Sequence, residues 1–256
     1  MHGRNCMSEA GTLAGKVAIV TGASGGIGRA TVDALVRRGA SVVAEDVSPR
    51  VSELESGKVA TLCGDVRVAA TAKQAVELAL SRFGRLDILV NNAATILTKD
   101  ILSTEEDEWN DVMAVNVTGV YHHCRAVLPS MIAQKSGAIV SVSSISGLVG
   151  LPYQAVYCAS KGAIVQLTRQ LAVDYAPHGI RVNSVAPGSI DTPFLQRYLD
   201  DQPDPAAAER DIKAAHPLGR IGTPAEMAEA IAFLASDQAS FITGAILSAD
   251  GGYVAR

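Results

Sequence analysis

The residues best suited to do chemistry in this chain are Tyr157 and Lys161, a Tyr-x-x-x-Lys pair inside a stretch with helical spacing. At positions i and i+4 both side chains lie on one face of a helix. A free tyrosine titrates near ~10 and is a poor acid–base group at neutral pH. An ammonium held beside the phenol favours the phenolate and lowers that pKa toward the working range. The pair therefore suits proton exchange with a hydroxyl or carbonyl oxygen, and the lysine is placed to hydrogen-bond a ribose as well. Taken alone, the same spacing also fits an ordinary amphipathic helix.

A second constellation lies near the N-terminus. The apolar run KVAIVT leads into Gly22-Ala23-Ser24-Gly25-Gly26-Ile27-Gly28, and helical spacing follows at once. Glycines there permit a tight turn, close approach of backbone to a pyrophosphate, and close helix–sheet packing. The helix N-terminus offers unpaired N–H groups and a favourable dipole to phosphates. The G-x-x-x-G-x-G spacing is not the commoner G-x-G-x-x-G, and glycine turns also serve as connectors, but the place after the first strand favours a cofactor. Gly22, Ser24, Gly26, Ile27 and Gly28 are thus expected to line a dinucleotide. The second strand ends at Glu45-Asp46, with Asp46 24 residues beyond Gly22. A carboxylate there accepts the adenosine ribose hydroxyls and repels a 2′-phosphate, which selects NAD over NADP. The alternative is a solvated charge at a strand end. Position 25 is glycine and position 47 valine, so neither supplies a cation for a phosphate, and Arg29 is read as a helix-surface residue. Asp65 and Val66, after the third strand, are placed to flank an adenine ring.

In their order and spacing these features resemble the classical short-chain dehydrogenase/reductase (SDR) family, over essentially everything from Lys16 to Tyr253. The matching motifs are TGASGGIG at 21–28, Asp65, NNAA at 91–94, Asn116 in VNVTG, Ser144, YCASK at 157–161, and Pro187-Gly188 followed by Ile190 and Thr192. The resemblance implies that Tyr157 is the acid–base group and that Lys161 tunes it. Ser144, 13 residues before Tyr157, would hydrogen-bond the substrate oxygen, a role its neighbour Ser143 does not fit by spacing. Asn116 would hold a water in a proton relay to Lys161. Asn91 would brace the strand beneath the cofactor and contact it, with Ala93 beside it. Ile190 and Thr192, after Pro187 and Gly188, would meet the nicotinamide carboxamide. The reaction implied is NAD-dependent interconversion of a secondary alcohol and its ketone, Tyr157 removing the alcohol proton as hydride passes to the nicotinamide. The chain departs from the family in having Ala94 where NNAG is usual; the added Cβ restricts the backbone and bears on the substrate mouth. Cys158 should point away from Tyr157 on the helix and is given no catalytic role.

The elements that must position these groups alternate along the chain. Apolar, β-branched runs occur at 16–20, 41–46, 58–65, 86–92, 138–144, 180–187 and 245–252. Helical spacing occupies about 26–38, 68–83, 105–134 with an interruption, 153–176 and 224–236. Continuous apolar strands separated by helices signal a parallel sheet covered on both faces. The expectation is a single α/β domain over 14–256, a Rossmann-type doubly wound parallel sheet of seven strands, preceded by a flexible arm at 1–13. Residues 189–216 break the rhythm with Pro203 and Pro205, and are read as a substrate lid or, alternatively, a surface excursion.

Bulk properties exclude several classes. A chain of 256 residues, 48% hydrophobic and 19% charged, is not a disordered one. A net charge of −4 offers no electrostatic footprint for nucleic acid or an anionic membrane. No apolar stretch reaches the ~18 residues of a membrane span, and the first residues lack a signal-peptide core. The four cysteines have no paired or metal-like spacing and are read as reduced thiols of a cytoplasmic protein. His122, His123 and His216 show no ligand-like clustering, so no metal is expected.

For substrate the candidates are Thr95, Ile96, the stretch Leu148 to Tyr153 with Leu151, and Phe194, Leu195 and Tyr198. They are mostly apolar, which suggests a small hydrophobic or alicyclic secondary alcohol. Rival readings are a 3-oxoacyl-carrier-protein reductase, a glucose-type sugar dehydrogenase, and a nucleotide-binding protein without turnover. The resemblance also implies a homotetramer built on the two long central helices and the C-terminal strand.

Overall fold

A computed structural model describes residues 12–200 and 202–255. Seven strands, β1 (Val17–Thr21), β2 (Ser41–Asp46), β3 (Val59–Cys63), β4 (Ile88–Asn91), β5 (Gly137–Val142), β6 (Ile180–Pro187) and β7 (Ile246–Ala249), form one sheet in the order β3-β2-β1-β4-β5-β6-β7. Every pairing is parallel. The seven predicted runs are thus the seven strands, trimmed at their polar ends.

Parallel neighbours need crossovers, and helices supply them. They are α1 (Gly26–Arg37), α2 (Ala69–Phe83), α3 (Glu106–Met113), α4 (Gly119–Gln134), α5 (Ala155–Tyr175), α6 (Pro193–Asp200), α7 (Pro205–Ala215) and α8 (Pro224–Ala235). One core lies between the sheet and α1 and α8, with Val32, Leu35, Ile231 and Leu234 against Ala18, Val20, Ile88 and Val90. The other lies beneath α2, α4 and α5, where Val76, Val127, Met131 and Ile164 meet Ile19, Val43, Leu89 and Ile139. Strand neighbours alternate between the two cores, as the pleat requires.

The order reverses between β1 and β4, so their crossovers leave in opposite directions and open a crevice at the carboxyl ends. That is where ligands bind in open α/β sheets.

One local feature differs from the sequence expectations, and two others give them a definite form. The arm was placed at 1–13, but Leu13 is fully buried in the α1 core and its N–H donates to the Arg38 carbonyl at 3.0 Å. The core therefore begins at Leu13, and residues 1–11 of the expected arm lie outside the described residues. The interruption within 105–134 is a π-turn at Ala114–Thr118 that joins α3 to α4 without breaking the rod. The segment 189–216 holds two short helices, α6 and α7, the second capped by Asp204, whose carboxylate accepts the Ala207 N–H.

Candidate active site

The glycine turn is shaped by contact with β4. Gly22 and Gly26 have φ of 66° and 52°, values natural only to glycine. A Cβ on Gly28 would lie 1.9 Å from the Gly22 carbonyl oxygen, and one on Gly22 would lie 2.8 Å from Ala93 Cα. Asn92 holds this arrangement: its Nδ2 donates to the carbonyls of Thr21 and Gly22, each at 3.0 Å. Thr21 Oγ1 in turn accepts the N–H groups of Asn92 and Ala93 at 3.1 Å. Neither Thr21 nor Asn92 was singled out from sequence; a polar pair closing a strand–turn–strand corner leaves no periodic signal. Asn91 does brace its strand, but its amide is directed to Ser141 Oγ at 3.3 Å and Cys124 Sγ at 3.6 Å, inside the α4 core. Its side-chain amide is therefore directed into the core rather than toward the crevice.

At the end of β2 the Asp46 carboxylate is fixed by two backbone donors, Ser24 N–H at 2.9 Å and Ser48 N–H at 2.8 Å. It thus stands next to the glycine turn, half-buried, with its orientation set. Asp65 is engaged by Arg67, whose hydrogen bonds hold its carboxyl below the usual carboxylate range against the opposing effect of burial. Arg67 also reaches Asp111 at 2.5 Å, which clasps the β3 loop to α3. Val66 is buried beneath this clasp. Arg29 sits partly exposed, 3.7 Å from Asp33 on the same helix.

The second cluster lies across the crevice, where the end of β5 meets α5. Lys161 is buried and its Nζ donates to the Val142 carbonyl at 2.8 Å, 5.6 Å from the centre of the Tyr157 ring. Burial pushes the lysine down to about 8. It pushes the Tyr157 phenol the other way, up to about 12, with the Ser144 hydroxyl pulling down and Cys158 adding to the rise. The ring keeps part of its surface in solvent, so water moderates that rise. In this arrangement the ammonium is turned to a carbonyl, and desolvation of the phenolate dominates.

Ser144 caps a short turn and is part of a hydroxyl chain: it donates to Ser146 Oγ at 3.2 Å, which donates to Gln154 Oε1 at 2.8 Å. The Ser146 N–H returns a bond to Ser144 Oγ at 3.1 Å. Sequence reasoning passed over Ser146 and Gln154. Gly147 lets this turn rest on α5, since a Cβ there would lie 2.7 Å from the Lys161 carbonyl. Asn116 sits in the π-turn, buried. Its amide accepts the Thr95 N–H at 2.8 Å and donates to the Thr95 carbonyl at 2.9 Å and to Ser160 Oγ at 3.0 Å. Both amide protons are used, so the side chain acts as a clamp between the β4 loop and α5. A water relay is left only the second lone pair of Oδ1 or the main-chain carbonyl. Ala94 is exposed and its φ is not positive, so the usual glycine is not demanded there.

The segment after β6 brings Thr192 to the glycine turn and Phe194 to Tyr157. Gly188 packs on His216, where a Cβ would lie 2.6 Å from Nε2. His216 Nδ1–H donates to the Ile212 carbonyl at 2.7 Å, which leaves Nε2 to accept the Ser189 N–H at 3.1 Å. This buried histidine ties the end of α7 to the base of the segment. Ile190 is buried and pairs with Gly222 in an isolated bridge. Thr192 reaches the glycine turn, its Cγ2 3.1 Å from where a Gly26 Cβ would stand. Phe194 is brought to Tyr157, with ring centres 6.4 Å apart at 40°. Of the other substrate candidates, Ile96, Leu151 and Leu195 are half-buried, and Tyr153 and Tyr198 are exposed. Tyr153 has a φ of 58°, a strained value for a side chain of that size.

A doubly wound sheet with a glycine turn at its switch point is the frame of dinucleotide-dependent oxidoreductases. Comparison with known proteins narrows this. A family model described as enoyl-(acyl carrier protein) reductase matches residues 22–254. A 3-oxoacyl-[acyl-carrier-protein] reductase of Thermotoga maritima is 40% identical over 249 residues, covering 94% of this chain and 99% of the relative. A 2,5-dichloro-2,5-cyclohexadiene-1,4-diol dehydrogenase of Sphingobium indicum is also 40% identical over 249 residues, covering 95% of this chain and 98% of the relative. The solved structure of levodione reductase superposes with a TM-score of 0.91 at 33% identity, over 95% of this chain and 99% of that one. The chain belongs to the classical SDR family, whose members are nicotinamide-dependent oxidoreductases acting on CH–OH groups.

Proposed function

We propose that this protein is an NAD-dependent dehydrogenase/reductase that interconverts a small, hydrophobic or alicyclic secondary alcohol and its ketone. The observation that carries the reading is the Tyr157 phenol set between Ser144, Phe194 and the buried Lys161, across the crevice from a fixed carboxylate at Asp46.

When bound, the nicotinamide accepts or returns the hydride. Gly22, Gly26 and Gly28 let the backbone approach a pyrophosphate, and Asp46 presents its remaining lone pairs to ribose hydroxyls while opposing a 2′-phosphate. Ser144 holds the substrate oxygen, for which its hydroxyl must turn from Ser146. Tyr157 takes the alcohol proton during oxidation and gives it back during reduction. With its phenol at about 12, the base form is scarce at neutral pH, so oxidation should rise as the pH is raised. Lys161, released from Val142, is the cation at hand to favour the phenolate. Phe194 supplies an apolar wall beside the reacting oxygen. α6 and α7 act as the lid that excludes water, anchored by His216. The named substrates of the diol dehydrogenase of Sphingobium indicum support an alicyclic alcohol.

A second reading, reduction of a 3-oxoacyl group on a carrier protein, is favoured by the relative from Thermotoga maritima. The test for both is turnover with NAD and NADP, separately, over a panel of alicyclic alcohols, sugars and a 3-oxoacyl thioester, with Tyr157→Phe as control. NAD-dependent oxidation of alicyclic alcohols, lost by about 10³-fold or more in Tyr157→Phe, is the expected result. Preference for NADP and the thioester would move the second reading to first place.

We extend the proposal to a homotetramer. α4 and α5 present a groove of about 330 Å³ lined mainly by apolar side chains, among them Leu128, Pro129, Ile132, Leu167 and Leu171, together with Arg125. Phe241 is fully exposed just before β7. Apolar surface of this extent on two neighbouring helices suits burial against another copy.

A further inference from the structure

Glu45 and His123 have no part in the chemistry above, yet they form a paired, fully desolvated cluster under the sheet. Glu45 is 0% and His123 1% exposed. Next to it in β2, Asp46 faces the crevice, so adjacent carboxylates of one strand serve opposite faces. His123 Nε2 meets Glu45 Oε2 at 2.9 Å, while Nδ1 meets the Gly119 carbonyl, also at 2.9 Å. A carbonyl only accepts, so Nδ1 carries a proton, and Nε2 and Oε2 share one more between them. Burial works against charge on the imidazole, but the bond to Glu45 and its charge outweigh that and raise the histidine above its usual value. Glu45 Oε1 is buried with no hydrogen-bond partner among the described residues. A carboxylate kept in so costly a place is a strong constraint on where the end of β2 can stand.

The same turn of α4 touches the other wall of the crevice. His122 Nδ1–H donates to the Val66 carbonyl at 3.2 Å. Gly119 packs on Val66 so closely that a Cβ would fall 2.9 Å from Val66 Cγ2. One helical turn thus holds both β2, through Glu45, and the β3 loop, through Val66.

We propose that His123, through its buried bond to Glu45, is a positioning residue for the adenosine end of the crevice. With His122 on Val66, it sets the distance between Asp46 and the Asp65–Val66 loop, and thereby both the affinity for NAD and the preference for NAD over NADP. The proposal rests on the dinucleotide reading given above. It assigns selectivity to a pair that touches no part of the ligand.

The test is calorimetric binding of NAD and of NADP, with no substrate present, alongside thermal unfolding. In E45L/H123L the buried pair is replaced by apolar side chains, a change that often leaves stability intact or improved. The expected result is an unchanged or higher Tm with an NAD Kd raised about tenfold and a reduced ratio of NADP to NAD Kd. E45Q retains the tie, since its amide donates to Nε2 of a neutral His123, and should keep the parent ratio. A merely structural role would move Tm and leave the ratio alone, and parent-like affinity and ratio in folded E45L/H123L would overturn the proposal. Should that variant not fold, E45M/H123N decides. It keeps a donor toward Gly119, removes the tie to β2 and leaves no carboxylate buried without a partner, and it must show the same loss of selectivity or the proposal fails. A parent protein that binds neither dinucleotide refutes the functional reading itself, and the proposal with it.

Discussion

At the scale of single residues, the buried Lys161 makes a prediction that needs no ligand. Its value in the folded chain, about 8, lies below the ordinary 10.5. Between the two the unfolded chain binds more protons, so the lysine's contribution to stability increases with pH across that window. Cys124 and Tyr157, both raised by burial to about 12, act in the opposite sense above their ordinary values of 9.0 and 10.0. The difference between the parent and Lys161→Met isolates the lysine. From pH 8 to pH 10 the parent should gain up to about 2 kcal/mol relative to the variant in denaturant titrations. A pH-independent difference would show that Lys161 keeps its proton in the folded chain. The lysine was legible in sequence as a catalytic candidate, but its rest position was not. Which acceptor a buried ammonium finds depends on a carbonyl, Val142, that carries no side-chain signature.

At the scale of elements, the glycine turn is a packed corner rather than a flexible loop. Gly28→Ala would press a methyl into the Gly22 carbonyl, so the turn must open and β4 lose its contact. We expect a cost of about 1–3 kcal/mol and a loss of dinucleotide binding of about 10²-fold or more, read by calorimetry. Gly57→Ala, where beyond its chain neighbours no atom of the described residues stands within 4 Å of the new methyl, should leave both unchanged. The strands were readable because each holds a short apolar run, and all but β3 and β7 are buried along most of their length. The interruption within 105–134 was readable, but its form as a π-turn at Ala114–Thr118 was not, because one extra residue in a helix shifts the phase without changing composition. Glu45 was within reach of sequence reasoning: alternation in a strand sends one of two adjacent carboxylates inward. Its partner, 78 residues away, was not. Leu13 was assigned to the arm because a single leucine before the first strand makes no period, yet it fills the α1 core.

At the scale of the whole molecule, the doubly wound parallel sheet of seven strands with helices on both faces was legible in the sequence, whereas the strand order and the surfaces that face other molecules were not read from the residues themselves. Among the described residues no helix is long and apolar enough to cross a membrane. The α4–α5 groove makes the assembly testable: light scattering should give four times the chain mass, and Leu171→Arg should lower it to that of a smaller species. A monomeric mass for the parent would remove the tetramer from the proposal. Loss of assembly in Leu171→Arg with intact dinucleotide binding would show that each subunit holds its own crevice.

The π-turn has a further consequence. From Glu106 to Gln134 the chain is one rod, yet Asn116 near its middle serves the Tyr157 end of the crevice and Glu45 and Val66 are met about two turns later. In a regular α-helix each residue advances about 100° around the axis, so residues 116 and 123 would come to nearly the same azimuth. The wider turn alters that phase, and the two ends of the crevice are addressed from different sides of a single helix. A rotation of the rod could therefore not improve one end without disturbing the other, which makes the helix a rigid gauge of the crevice's length.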